Sequence, residues 1–233
     1  MFSMKKVLPV IAGALCALPF FASADEPMEK ALIVGDKGYC KTYSGLLKKQ
    51  YVCTAIDKEN EEKDWKKKGY ILPKFEELKQ YKLIILALFT STLDENRQDL
   101  IDYVKNGGTI YSIYLNVTDT VRKSQFKEPG FGIAGFKKLV PMHLTPYPQA
   151  GDMTHNLSYT KAMGKEKSFQ MKSRYSVYAG ELTDAVPLVV NSEKKDLAPV
   201  CVAKYGKGQF IYNGTTDRAE LFTDIMKACG ILK

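Results

Sequence analysis

His155, with Asp152 just before it and Asp217 far downstream, is the residue of this chain best suited to general-base chemistry. An imidazole oriented by a carboxylate can take a proton from a hydroxyl near neutral pH. Ser91 or Ser112 would supply that hydroxyl, and the reaction would be hydrolysis of a carbohydrate or an ester. Neither serine sits in a Gly-x-Ser-x-Gly elbow, so a histidine without catalytic duty is the competing reading. The second histidine, His143, lies in the apolar run 140–144 and reads as structural. No Cys-x-x-Cys spacing occurs, and two histidines are a poor complement for zinc, so neither a metal nor another cofactor is expected.

Four cysteines follow residue 24: Cys40, Cys53, Cys201 and Cys229. Their meaning depends on the compartment. Lys5 and Lys6 precede an apolar run over 7–21, and Ala22-Ser23-Ala24 puts small residues at positions −3 and −1 before Asp25. That is the pattern of a secretory signal peptide over 1–24. The run is shorter than the ~20 apolar residues of a membrane span, which disfavours an uncleaved anchor. Cys16 follows Leu15, where a lipid-attachment box needs a small residue, so no lipid anchor is read. The chain is expected to be exported, periplasmic or secreted, with no stable membrane insertion after cleavage. An even number of cysteines in such a chain reads as disulfides. Of the three pairings, Cys40–Cys53 and Cys201–Cys229 are favoured, because each ties a strand to a neighbouring helix or loop. Each closed loop would contribute about 3 kcal/mol through chain entropy.

Removing 24 of the 233 residues leaves 209, enough for one sizeable core, and 25–233 reads as a single domain. The formal charge of +8 becomes +6 without Lys5 and Lys6. The lysine clusters are dispersed along the chain, and Glu59, Glu61, Glu62 and Asp64 precede the one at 66–68. This describes a solvated surface and, beyond an export signal, argues against a nucleic-acid partner. Trp65, Tyr147, Tyr159, Tyr175 and Tyr178 are open to two readings, contacts with a sugar or a protein, or packing. Asn116, Asn156 and Asn213 each open an Asn-x-Ser/Thr sequon, which matters only in a eukaryotic host.

The elements that would position these groups alternate. An apolar run over 31–34 reads as a strand buried on both faces, 39–49 as a helix, and 51–56 as a second strand. A charged surface segment over 57–68 and a helical turn over 75–80 precede the most apolar strand, 83–88. Thr92 and Glu95 form a capping box for a helix that ends at Gly107, followed by a strand over 109–115. Residues 116–185 are less regular, with strand-like patches at 138–144 and 168–177. Strands at 186–190, 199–204 and 209–212, the last two joined by Gly206-Lys207-Gly208, lead into a closing helix over 217–228. The fold class expected is α/β, with a mostly parallel sheet between helices, a C-terminal β-hairpin and a closing helix.

Two stretches carry a resemblance. "DLIDYVKNGGTIYSIYLN" resembles the helix, Gly-Gly and strand of the class I glutamine amidotransferase-like superfamily. Within it, the trehalose-utilisation-protein-like branch and the β-galactosidase trimerisation-type domains are most similar. "APVCVAKYGKGQFIYNGTTD" is similar to the strand, Tyr-Gly-Lys-Gly turn and strand that close those domains, and "GDMTHNLSY" resembles a histidine-bearing segment between the two. The resemblance spans about residues 30–229 and implies a flavodoxin-like three-layer sandwich.

In active members a cysteine leaves the strand where Tyr114 stands here, and its thiolate is the nucleophile. A phenol with a pKa near 10 is a poor substitute. The partner His and Glu of the family are not recognisable, so amidotransferase activity is not expected. Ligands of open α/β sheets bind beyond the carboxyl ends of the strands. Those ends offer Asp36, Tyr39, Thr90, Ser91, Tyr114, Asn116, Thr118 and Asp119, a rim suited to a polyol. The competing reading is that these residues cap helices and close turns. The function expected is a non-catalytic domain that binds a small polar ligand, such as a carbohydrate, or a protein. The alternatives are a His155 hydrolase and a structural subunit that forms homo-oligomers.

Overall fold

Ala31, Leu32, Ile33 and Val34 offer no polar side to either face, so their strand must be covered on both. All four are fully buried in β1 (Glu29–Gly35) of the computed structural model, which describes residues 27–58, 70–87, 96–113, 129–141, 153–173, 178–215 and 219–233. The next elements are α1 (Lys37–Leu47), β2 (Tyr51–Ile56), α2 (Phe75–Leu78), β3 (Leu83–Ala87), α3 (Arg97–Lys105) and β4 (Thr109–Ile113). The alternation expected from the sequence holds here, with boundaries moved by a few residues. The Thr92 capping box lies outside the described residues.

The second half is richer in strands than expected. It contains β5 (Phe136–Pro141), β6 (Met153–Tyr159), β7 (Ser168–Ser173), β8 (Tyr178–Leu182), β9 (Val186–Asn191), β10 (Leu197–Ala198), β11 (Val200–Tyr205) and β12 (Gly208–Asn213). The closing helix is α4 (Ala219–Ala228). Along β6, Thr154 and Asn156 are exposed while His155, Leu157 and Tyr159 are buried, the period-two pattern of a half-buried antiparallel strand.

One sheet joins nine strands in the order β2-β1-β3-β4-β12-β11-β9-β6-β7, and a smaller sheet runs β10-β8-β5. β2, β1, β3, β4 and β12 pair in parallel, whereas β12-β11, β11-β9, β9-β6 and β6-β7 are antiparallel. The expectation of a mostly parallel sheet is therefore corrected to a mixed one. The physical reason is connection length: β6-β7 and β11-β12 are hairpins, which reverse direction, while parallel neighbours need a crossover.

Helices cover both faces of the parallel half. Tyr43 and Leu47 of α1 and Leu221, Phe222, Ile225 and Met226 of α4 share one core with Ala31, Ile33, Leu83, Ile85 and Tyr111. Leu78 of α2 and Leu100, Tyr103 and Val104 of α3 share the other with Leu32, Val34, Ile84, Leu86 and Ile110. The two glycine motifs that carried the family resemblance meet in space. The β11-β12 turn lies on the end of α3, with Lys207 N donating to Lys105 O at 3.0 Å and Gln209 N to Gly108 O at 3.2 Å. A Cβ on Gly208 would stand 2.2 Å from both Gly108 O and Val104 O, so only glycine fits.

The expected disulfides are corrected as well, because all four described cysteines are free thiols. Cys201 on β11 packs into the α2/α3-side core, whereas Cys229 packs against the α1/α4-side core, so the sheet stands between them. Cys53 is the Cα partner of Ala31, while Cys40 Sγ contacts Ile33 O and Gly35 O. That puts the Cys40 sulfur roughly 7–13 Å further along β1 than Cys53, out of reach of an S–S bond to it.

Candidate functional site

Parallel pairing aligns the carboxyl ends of the strands. Gly35 of β1 is level with Ala87 of β3, Leu86 with Ser112 of β4, and Ile113 with Asn213 of β12. Chain direction from β1 diverges here, with β2 on one side and β3 on the other, which makes this the crevice where open α/β sheets hold ligands. Gly35 permits the approach: a Cβ there would lie 2.5 Å from Ala87 O and 3.0 Å from Ala87 Cβ.

Asp36 leaves β1 in extended geometry and caps α1, its Oδ1 accepting from Tyr39 N at 3.0 Å. Tyr39, half-buried on the first turn, stacks on Tyr43 with centroids 6.3 Å apart. Tyr43 meets Phe222 of α4 at 5.0 Å, and Phe222 meets Tyr111 of β4 at 5.2 Å. Edge-to-face and tilted ring packing of this kind adds to area burial. The Tyr111 phenol oxygen then accepts from Asn213 Nδ2 at 2.6 Å, and Asn213 Oδ1 accepts from Thr215 N at 2.9 Å and Thr215 Oγ1 at 2.7 Å. Tyr111, Asn213 and Thr215 are each 0% exposed. A polar network buried this deeply must be satisfied, and these bonds fix the path from β12 towards α4.

The thiols are held in their neutral form. Burial, and then the charges of Asp57 and Asp36, push the Cys40 pKa up to about 11. Burial raises Cys229 to about 11, and it also raises Cys53 and the fully buried Cys201.

Of the rim residues read from the sequence, Asp36 and Tyr39 are brought together at the carboxyl edge, where Asp36 caps α1, the role the competing reading gives it. Thr90, Ser91, Tyr114, Asn116, Thr118, Asp119, Asp152 and Asp217 lie outside the described residues. Ser112 is fully buried within β4, its Oγ donating to Ile113 O at 3.3 Å. His155 is 5% exposed and pairs with Met171 across the β6-β7 hairpin. Three strands lie between β6 and β4, so four spacings of about 4.8 Å put them roughly 19 Å apart, and Ser112 and His155 are not brought together. Sequence reasoning missed Tyr43, Tyr111, Asn213, Thr215 and Phe222 as parts of one constellation. The available signal was Asn213, a carboxamide directly after the apolar run Phe210-Ile211-Tyr212.

Two concavities stand away from this edge. Where the β6-β7 hairpin meets α4, Tyr159, Lys167, Phe169, Glu220 and Leu221 line a cleft of about 330 Å³. Its wall is tied by Tyr159 Oη donating to Asp224 Oδ2 at 2.7 Å and Lys165 Nζ donating to Asp224 Oδ1 at 2.6 Å. At the opposite, amino edge of the parallel strands, Glu29, Lys49, Tyr51, Lys82 and Lys233 are among the residues around an open groove of about 1030 Å³.

No protein-family model and no curated protein matches the chain. Solved structures do. A ThuA-like protein from Bacteroides uniformis is 16% identical, with 88% of this chain and 89% of that one covered at a TM-score of 0.53. The Salmonella typhimurium LT2 protein STM1381 is 11% identical, covering 86% of this chain and 99% of that one at 0.54. The GH42 β-galactosidase Gan42B of G. stearothermophilus is 17% identical, covering 89% of this chain at 0.52, but this chain spans only 31% of its length. At such identities the likeness is one of fold: a mixed-sheet α/β arrangement shared with a ThuA-like protein and with part of a β-galactosidase.

Proposed function

We propose that the chain is an exported, non-catalytic amidotransferase-like domain that binds a small polar ligand, with carbohydrate the favoured class, at the carboxyl edge beside Asp36 and Tyr39. The order β2-β1-β3-β4-β12 supports reading the parallel half as flavodoxin-like, since it matches the 2-1-3-4-5 order of that fold. The observation that carries the reading is the state of the thiols. Every cysteine after residue 24 is buried or half-buried, with its pKa raised, so none offers the thiolate that amidotransferase chemistry needs. At the same edge, a carboxylate and an aromatic ring are presented beside the strand ends, the pair of groups that grips a sugar through its hydroxyls and its apolar face. Fold likeness to a GH42 β-galactosidase favours carbohydrate among polar ligands. Export rests on the 1–24 leader.

The test is a thermal-shift screen of the purified, processed chain against mono- and oligosaccharides, run beside Tyr39→Ala and the remote Lys161→Ala. A ligand at a hundred times its Kd stabilises by about 2.7 kcal/mol, a shift of roughly 5–11 °C for a chain of this size. Tyr39→Ala should abolish the shift and Lys161→Ala should keep it. Release of ammonia from glutamine, or of p-nitrophenol from aryl glycosides, would overturn the non-catalytic reading. A screen without any shift would overturn the ligand. An N-terminus beginning at Asp25 in the exported fraction checks the leader.

A further inference from the structure

The nine-stranded sheet ends in two unlike strands. At one edge, β7 exposes Ser168, Gln170 and Lys172. At the other, β2 reads Tyr-Val-Cys-Thr-Ala-Ile without a charge, a proline or a glycine. Among the described residues it pairs only with β1, and Val52 is 53% exposed, with Thr54 and Ala55 exposed beside it. Edge strands are usually blunted by charge, proline or a bulge, because bare N–H and C=O groups invite another strand. β2 has none of these devices.

The flanks of β2 indicate which strand it would accept. Lys49 precedes it and Asp57 follows it, and neither has an ion-pair partner among the described residues. We infer that β2 pairs antiparallel with β2 of a second copy about a two-fold axis through Cys53, joining two sheets into one. In that register Lys49 stands opposite the second copy's Asp57, and the symmetry repeats the pair. Val52 stands opposite Thr54, and Tyr51 opposite Ala55. Moving the axis by half a residue in either direction sets residues of opposite faces against each other, so the pleats of the two strands do not match. Moving it to Thr54 sets Asp57 against Tyr51 and exchanges the Lys49–Asp57 pair for Lys49 opposite Glu59, with Cys53 no longer facing its copy, so a cross-link at Cys53 decides between the two registers. An isologous contact of this kind closes at two copies, which distinguishes it from open-ended aggregation. This inference is independent of any ligand at the carboxyl edge.

The register brings the two Cys53 residues face to face. Directly opposed residues of an antiparallel pair have Cα atoms about 4.5–5.5 Å apart, a separation a disulfide can span. With oxidised glutathione, two Cys53 thiols would form one disulfide. The two electrons and two protons would pass to the glutathione disulfide, leaving two glutathione thiols.

The experiment is light scattering of the processed chain with its thiols reduced, over about 1–200 µM, the range suited to a small interface. A second arm adds oxidised glutathione and maps the cross-linked peptides by mass spectrometry. A concentration-dependent doubling of mass and a Cys53–Cys53 peptide are expected. Thr54→Lys, at an exposed position that leaves the core intact, should give a folded monomer with no cross-link. Lys49→Asp should weaken the dimer by about 2- to 30-fold, the range for two exposed ion pairs, and adding Asp57→Lys should restore it. A monomer throughout the range without a Cys53–Cys53 peptide overturns the proposal. So does a dimer that survives Thr54→Lys.

Discussion

Replacing Asn213 by alanine tests the architecture beneath the candidate site. The side chain is fully buried and joins three partners: it donates to Tyr111 Oη and accepts from Thr215 N and Thr215 Oγ1. Alanine fills none of these roles. The Thr215 hydroxyl can rotate, but the Thr215 backbone N–H cannot, and it is buried with the rest of the residue. Taking the Asn213 acceptor from a buried donor costs about 1–3 kcal/mol, and each of the other two bonds contributes about 1 kcal/mol net. The expected loss is therefore about 3–5 kcal/mol, a large part of the stability of an ordinary domain. For a chain of this length it corresponds to a fall in Tm of roughly 6–20 °C. Urea unfolding monitored by far-UV circular dichroism measures it directly, with an unchanged m-value indicating that the native state has kept its compactness. Thr215→Val provides the internal comparison. It removes the hydroxyl but keeps the backbone N–H paired, so it should cost only about 1 kcal/mol. If Asn213→Ala loses less than about 1 kcal/mol, or if the two variants lose the same amount, the network does not hold this edge together and the reasoning fails.

Gly35→Ala should destabilise by about 1–3 kcal/mol or more, because its Cβ would press on the backbone of Ala87 at 2.5 Å and force β1 and β3 apart; a neutral outcome in the same urea assay would refute that close approach. Burial pushes the Asp224 pKa up, but hydrogen bonds from Lys165 and Tyr159 and the charges of Lys165 and Lys167 outweigh it, and the net shift is down from 3.8. A carboxyl lowered on folding contributes stability above its unfolded pKa and loses it as pH falls through the folded one. Lys165→Ala should therefore be less stable than the parent at pH 7 and converge with it in strong acid, and a gap that persists there would contradict the assignment. Alkylation at pH 8 should label half-buried Cys53 first and leave Cys201 untouched until the chain unfolds, since thiolate fraction and access both govern the rate. Rapid native labelling of Cys201 would mean that the β11 environment is wrong.

The parallel half was legible because its strands have no polar side to show. Residues 31–34 and 83–86 cannot form a surface strand or an amphipathic helix, and both are fully buried. Leu221, Phe222, Ile225 and Met226 recur at helical spacing and are the buried face of α4. The strands at 153–182 were harder to read for a matching reason. β6 alternates Thr-His-Asn-Leu-Ser-Tyr, and the pattern is visible only once His155 is counted as an inward residue. A histidine between polar neighbours suggests a surface loop until a partner strand covers it.

Composition and local pattern alone determined the α/β class of this chain and the layered alternation of its first half. These rest on interactions within a few residues or on burial that no alternative element could satisfy. Which thiols can meet, which strands run antiparallel, and whether His155 lies near Ser112 were decided by tertiary structure. Cys201 and Cys229 are separated by the sheet, and His155 from β4 by three intervening strands. Face and strand order are set by the packing of the whole sheet, and a residue's neighbours in the chain carry no record of either.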